Sequence, residues 1–71
     1  MAASEEQCLL LRSALAQLPE DQRQAIVLHL HGALRFREIA RQTGESVNTV
    51  KSRYQYGIRK LRSLLNGQVE R

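Results

Sequence analysis

The sequence has little cysteine and proline, with one residue of each among 71. The lone Cys8 cannot form a disulfide within the chain, and no cysteine or histidine has the spacing of a zinc site. A chain this short forms one small domain, since below about 80 residues a core supplies only a few kcal/mol of net stability. We therefore expect a domain that packing alone holds together.

Long apolar runs and strand patterns are also missing. A membrane span needs about 20 consecutive apolar residues, and none exists here. Residues 1–7 are polar and acidic, whereas a signal peptide begins basic and becomes apolar. No segment alternates with period two and none repeats. The sequence predicts a cytoplasmic protein of the all-α class.

No group of residues suggests catalysis. Ser52 has no sequence neighbour that could act as its base, and no pair of carboxylates stands out. His29 and His31 are two residues apart and would face away from each other on a helix, which argues against a metal pair. We expect both at the surface or its boundary. The prediction is no enzyme, no metal and no cofactor.

Positive charge is concentrated in one part of the chain. Residues 1–45 contain five arginines and six acids, for a net charge of −1, whereas residues 46–71 contain six basic residues and Glu70, for +5. A basic C-terminal segment is typical of a protein that binds a polyanion, although a solvated basic face has the same composition.

Apolar spacing predicts four helices. The first spans residues 4–17, with Ser4 and Gln7 in capping-box spacing. Its expected core stripe is Cys8, Leu11, Leu15 and Leu18. Cys8 is expected to be a small buried side chain. The second helix runs from Pro19, which suits a first helical turn, to His31, and Gly32 ends it.

The third and fourth helices have the pattern of a helix-turn-helix. Phe36, Ile39, Ala40 and Thr43 share one face of the third helix, and Ser46 is the expected N-cap of the fourth. The fourth helix is predicted to bury Val47, Val50, Tyr54, Ile58, Leu61 and Leu65, with a frayed end over residues 66–71. Ala40 suits a helix crossing, Gly44 a turn with positive φ, and Val50 the closing apolar contact.

The opposite face of the fourth helix has the composition of a recognition surface. Its members are Asn48, Lys51, Ser52, Gln55, Arg59 and Arg62. Amide, ammonium and hydroxyl groups read base edges in the major groove. We expect the first four residues to meet bases and the two arginines to meet phosphates, with Arg53 and Lys60 adding charge beside them. Asn48 could instead be a second capping group.

The stretch from Leu18 to Leu65 resembles region 4 of bacterial RNA polymerase sigma factors, most closely the extracytoplasmic-function group. The residues that carry the resemblance are LPEDQRQ before an apolar helix, FREIA before the turn, TVKSR (Thr49 to Arg53) and RKLR (Arg59 to Arg62). The match covers about residues 9–65. It implies double-stranded DNA of the −35 promoter element and the β flap of RNA polymerase as partners.

The resemblance also assigns residues. It implies that Lys51, Ser52, Gln55 and Tyr56 meet bases or nearby phosphates, and that Phe36, Arg37 and Thr49 contact the DNA backbone. The predicted DNA-contacting set also includes Ser46 at the helix start. Three residues depart from the family pattern: Asn48 stands where glycine is usual, Tyr56 where a basic residue is common, and Gly57 where alanine is frequent.

Region 2 of a complete sigma factor is not in this sequence. We therefore expect residues 1–71 to be a region 4 domain from a longer protein, with residues 1–3 an added start. Three alternatives stay open. The domain could mainly bind a protein such as an anti-sigma factor, could be the DNA-binding half of a response regulator, or could end a recombinase whose catalytic residues lie elsewhere.

Overall fold

The structure, a computed structural model, describes residues 5–69. They form α1 (Glu5–Ala16), α2 (Glu20–Ile26), a π-helical turn (Val27–His31), α3 (Phe36–Thr43) and α4 (Val47–Val69), with no strand in this part of the chain. The predicted all-α class with a long last helix is confirmed. Ser4, the expected cap of α1, lies outside the described residues.

The second helix differs from its prediction in its last turn. Pro19 immediately precedes α2, and its backbone adopts φ −55° and ψ 148°. The helical segment ends at His31 as predicted, but its last five residues form the π-helical turn, in which the N–H of Gly32 donates to the carbonyl of Val27, five residues back, at 3.0 Å. This wider turn changes the direction in which successive side chains point. Directly after this turn, the positive φ belongs to Ala33, at 57°, and not to Gly32.

Two apolar clusters form the core. The first core cluster consists of Ala14, Leu18, Ile26 and Leu61, and the second consists of Ile39, Ala40 and Val50. Helix α4 contributes to both, so it runs the length of the core. Burying a side chain such as Ile39 or Val50 contributes about 1.5–3 kcal/mol relative to exposing it.

Several predicted core residues lie elsewhere. Cys8 is exposed, and Leu11 is 42% exposed, so the expected stripe of α1 is wrong at these positions. Helix α1 packs chiefly on α4, which leaves its other faces uncovered. Val47, expected to be buried, is 37% exposed because it begins α4, beyond the second core cluster. The helix also continues past the predicted end at Leu65 to Val69, while residues 70 and 71 lie outside the described part.

An aromatic group joins the π-helical turn to the helix-turn-helix. His29 stacks on Phe36 with ring centres 4.3 Å apart and meets the ring of Tyr54 edge-on at 4.9 Å. Its Nδ1–H donates to the carbonyl of Leu34 at 2.8 Å, because a carbonyl can only accept. His29 is half-buried, which confirms its predicted boundary position.

Candidate nucleic-acid interface

The helix-turn-helix has the three predicted corner residues. Gly44 adopts φ 73°, in the left-handed region, and its N–H donates to the carbonyl of Ala40. The N–H of Glu45 reaches the same carbonyl at 3.0 Å. Ala40 and Val50 are both buried in the second core cluster. These contacts fix the angle at which α4 leaves the turn.

The start of α4 is capped by Ser46, as predicted. Ser46 Oγ accepts from the backbone N–H of Thr49 at 3.1 Å, and its hydroxyl donates to Thr49 Oγ1 at 2.9 Å. Thr49 is half-buried and Asn48 is exposed. The cap thus uses Ser46 and Thr49, and Asn48 is left with its amide facing solvent.

The polar face of α4 comprises Asn48, Lys51, Ser52, Gln55, Arg59 and Arg62, and all six are exposed. The sequence of α4 has five basic residues and no acid. A row of amide, hydroxyl and cationic groups on an exposed helix is suited to base edges and phosphates. The structure brings the predicted residues of this face together.

Tyr56 lies beside the polar face. It is 61% exposed, and with Ser52, Gln55 and Arg59 it lines a depression of ≈130 Å³. Tyr54 is instead packed against the first core cluster and the ring of Phe36. The prediction that Tyr54 belongs to the core is confirmed, and Tyr56 is available to a ligand of the polar face.

Phe36 and Arg37 differ in accessibility. The ring of Phe36 is half-buried among His29, Tyr54 and the second core cluster, so its side chain serves packing. Arg37, in the first turn of α3, is exposed. Both residues are expected, with Thr49, to contact the DNA backbone, and of these two Arg37 is the one with an exposed side chain.

Arg53 points away from the polar face. Its Nε lies 3.3 Å from Asp21 Oδ2 in α2, and its Nη2 lies 3.4 Å from Glu45 Oε2 in the turn before α4. The sequence suggested extra positive charge for DNA at this position. The structure shows a guanidinium already shared by two carboxylates of the same chain.

Gly57 has a packing role that the sequence did not reveal. It is buried, and a Cβ added there would lie 2.7 Å from Ile26 Cδ1 and 3.2 Å from Gln22 Cβ. The absence of a side chain thus lets α2 and α4 approach closely. Only the departure from a frequent alanine pointed to this position in the sequence.

The domain also has an apolar surface, to which α1, α2, the π-helical turn and α4 contribute. An apolar groove of ≈350 Å³ is lined by Leu11, Leu15, Ile26, Val27, Leu30, His31 and Leu61. Leu30 is 60% exposed and Val27 38% exposed. The sequence signal that could have indicated this groove is the apolar residues from Ala25 to Leu28 and Leu30, which cover more than one face of the second helix.

Residues 5–69 contain no group of three or more His, Cys, Asp or Glu side chains that could hold a metal ion. In the same part of the chain, no helix is long and apolar enough to cross a membrane.

Comparison with known proteins adds one finding. The family described as sigma-70, region 4, has a sequence model that matches residues 8–61, which includes the helix-turn-helix and most of the polar face. No curated protein matches the chain.

Proposed function

Since the chain belongs to the sigma-70 region 4 family, a non-catalytic family of DNA-binding sigma-factor domains, we propose that it reads one particular −35 promoter element for an alternative sigma factor of the extracytoplasmic-function group. The polar face of α4 carries this proposal. It is exposed, free of acids, and presented by a capped helix start and a fixed turn.

Residues at different positions along α4 contact different parts of the DNA. In helix-turn-helix docking the first turns of the second helix enter the major groove, so Asn48, Lys51, Ser52 and Gln55 meet bases. Tyr56 adds an aromatic edge beside Gln55. Arg59 and Arg62 follow farther along the helix and meet phosphates, as Arg37 does from α3.

The test begins with selection of a preferred duplex from a random-sequence library. Lys51→Ala should then cost about 1–3 kcal/mol on the selected duplex and relax specificity, because a base contact is lost. Arg62→Ala should weaken binding to selected and scrambled duplexes alike. It should also reduce the slope of log affinity against log salt concentration by about one, because one phosphate contact is lost.

Arg12→Ala is the matched control. It removes one exposed charge from α1, a helix outside the helix-turn-helix, and should change affinity little. If wild type binds selected and scrambled duplexes equally at moderate salt, sequence-specific binding is refuted. If Lys51→Ala and Arg62→Ala lower the affinity equally on every duplex, the assignment of Lys51 to a base and Arg62 to a phosphate is refuted.

The apolar groove favours a second, compatible function, which is docking of an amphipathic helix from the polymerase β flap. Exposed leucine and valine side chains around a groove between helices are suited to the apolar face of such a helix. An anti-sigma protein would compete for the same surface.

Two leucine variants test the groove. Leu30→Asp should abolish binding of an isolated β-flap fragment and leave DNA binding intact. Leu9→Asp is the control, because Leu9 is 62% exposed but does not line the groove. If both variants lose flap binding equally, the flap does not bind in the groove. If the groove binds an anti-sigma protein and no flap fragment, its partner is the anti-sigma protein.

A further inference from the structure

Arg53 connects three parts of the helix-turn-helix domain. Its Nε and Nη2 reach carboxylates in the first turn of α2 and in the turn that precedes α4, at 3.3 and 3.4 Å. The other oxygen of Asp21 accepts the backbone N–H of Gln22 at 2.8 Å, which holds this carboxylate in place. We call Arg53, Asp21 and Glu45 the arginine clamp.

The arginine clamp acts where α2 and α4 already touch. Gly57 follows Arg53 by one helical turn and packs on Gln22 and Ile26, so both positions face α2. The close approach at Gly57 sets the distance between the helices. The clamp adds a polar contact at the turn, near the residues that begin the polar face.

We infer that Arg53 is a positioning residue for base readout: it holds the first turns of α4 at a fixed rotation and does not itself contact DNA. This inference rests on the proposed function. A planar guanidinium that engages two carboxylates through different nitrogens restricts orientation, which a single ammonium would not do.

The partial exposure of the arginine clamp indicates that it matters more for the position of α4 than for the stability of the fold. The side chains of Arg53, Asp21 and Glu45 are 29%, 49% and 39% exposed. Ion pairs this accessible to water contribute little to the free energy of unfolding. Base contacts, in contrast, depend on the position of α4 to within a fraction of an ångström.

The experiment measures a specificity ratio, the affinity for the selected duplex divided by that for a scrambled duplex. Three variants are compared with wild type: Arg53→Ala, Arg53→Lys and the double variant Asp21→Asn/Glu45→Gln. Circular dichroism verifies that each is folded. The double variant makes the protein more positive and should bind any duplex more tightly, so affinity alone would mislead, whereas the ratio cancels this effect.

Positioning predicts that all three variants lower the ratio, by about tenfold for Arg53→Ala, which corresponds to one good base contact. A direct phosphate contact predicts a different result. Arg53→Ala would weaken both duplexes alike with an unchanged ratio, Arg53→Lys would resemble wild type, and the double variant would bind both duplexes more tightly at an unchanged ratio.

The two failures can be told apart. A wild-type ratio near one would refute the proposed function. A high wild-type ratio that Arg53→Ala and the double variant leave unchanged would refute only the positioning role.

Discussion

Gly57→Ala tests whether close approach of α2 and α4 is needed for stability. The added Cβ would lie 2.7 Å from Ile26 Cδ1. Carbon atoms in contact lie about 3.5–4.0 Å apart, so Ile26 must move by roughly 1 Å. Ile26 is 3% exposed and packed in the first core cluster, so it has little room.

The expected magnitude follows from two opposing effects. Overpacking of this kind costs about 1–3 kcal/mol, and alanine regains about 1 kcal/mol over glycine in a helix. Gly57→Ala should therefore lower the free energy of unfolding by about 0–2 kcal/mol. Gly67 in the same helix has no atom within 4 Å of its added Cβ. Gly67→Ala should raise stability, by up to about 1 kcal/mol.

Urea unfolding followed by far-UV circular dichroism measures both variants. Ile26→Val provides a rescue, because it removes Cδ1 at a cost of about 0.5–1.5 kcal/mol by itself. In that background Gly57→Ala should no longer destabilise. If Gly57→Ala and Gly67→Ala stabilise the wild type equally, the close approach of α2 and α4 at Gly57 has no energetic consequence.

Two further predictions concern the turns. Ser46→Ala removes the acceptor of the Thr49 N–H and should lower the free energy of unfolding, measured in urea, by about 0.5–2 kcal/mol. Ser46→Gly should lower it by only a few tenths of a kcal/mol. Equal decreases for the two variants would mean that the hydroxyl does not cap the helix. Ala33→Gly should leave stability unchanged or raise it by up to about 1.5 kcal/mol, since glycine avoids the Cβ cost of the 57° φ but adds flexibility to the unfolded chain. Ala40→Gly, in the buried part of α3, is its control and should destabilise by about 1 kcal/mol or more. A similar loss for Ala33→Gly would contradict strain at that residue.

Local chemistry explains which parts of the structure could be predicted. Gly44, Ser46 and the apolar spacing of α3 act within a few residues of each other, so the turn and its cap follow from the sequence. The polar face of α4 follows from helical periodicity once Val50 and Leu61 are placed in the core.

The features that could not be predicted depend on contacts between residues that are far apart in the sequence. The pairing of Arg53 with Asp21 depends on how α2 packs on α4, which no local pattern contains. The apolar face of α3 includes Phe36, but its periodicity does not predict that the π-helical turn brings His29 against the Phe36 ring. Cys8 has core-like spacing, yet α1 packs on too little of the domain to cover it.

The modest packing of α1 has a consequence for local unfolding. Helix α1 contributes Leu11 and Leu15 to one wall of the apolar groove and packs chiefly on α4, whereas the second core cluster is built from α3 and α4. Elements with few packed neighbours open at lower free energy than the core. Detachment of α1 would remove one wall of the groove proposed for a protein partner, whereas the contacts of the second core cluster, which hold α3 against α4, would remain.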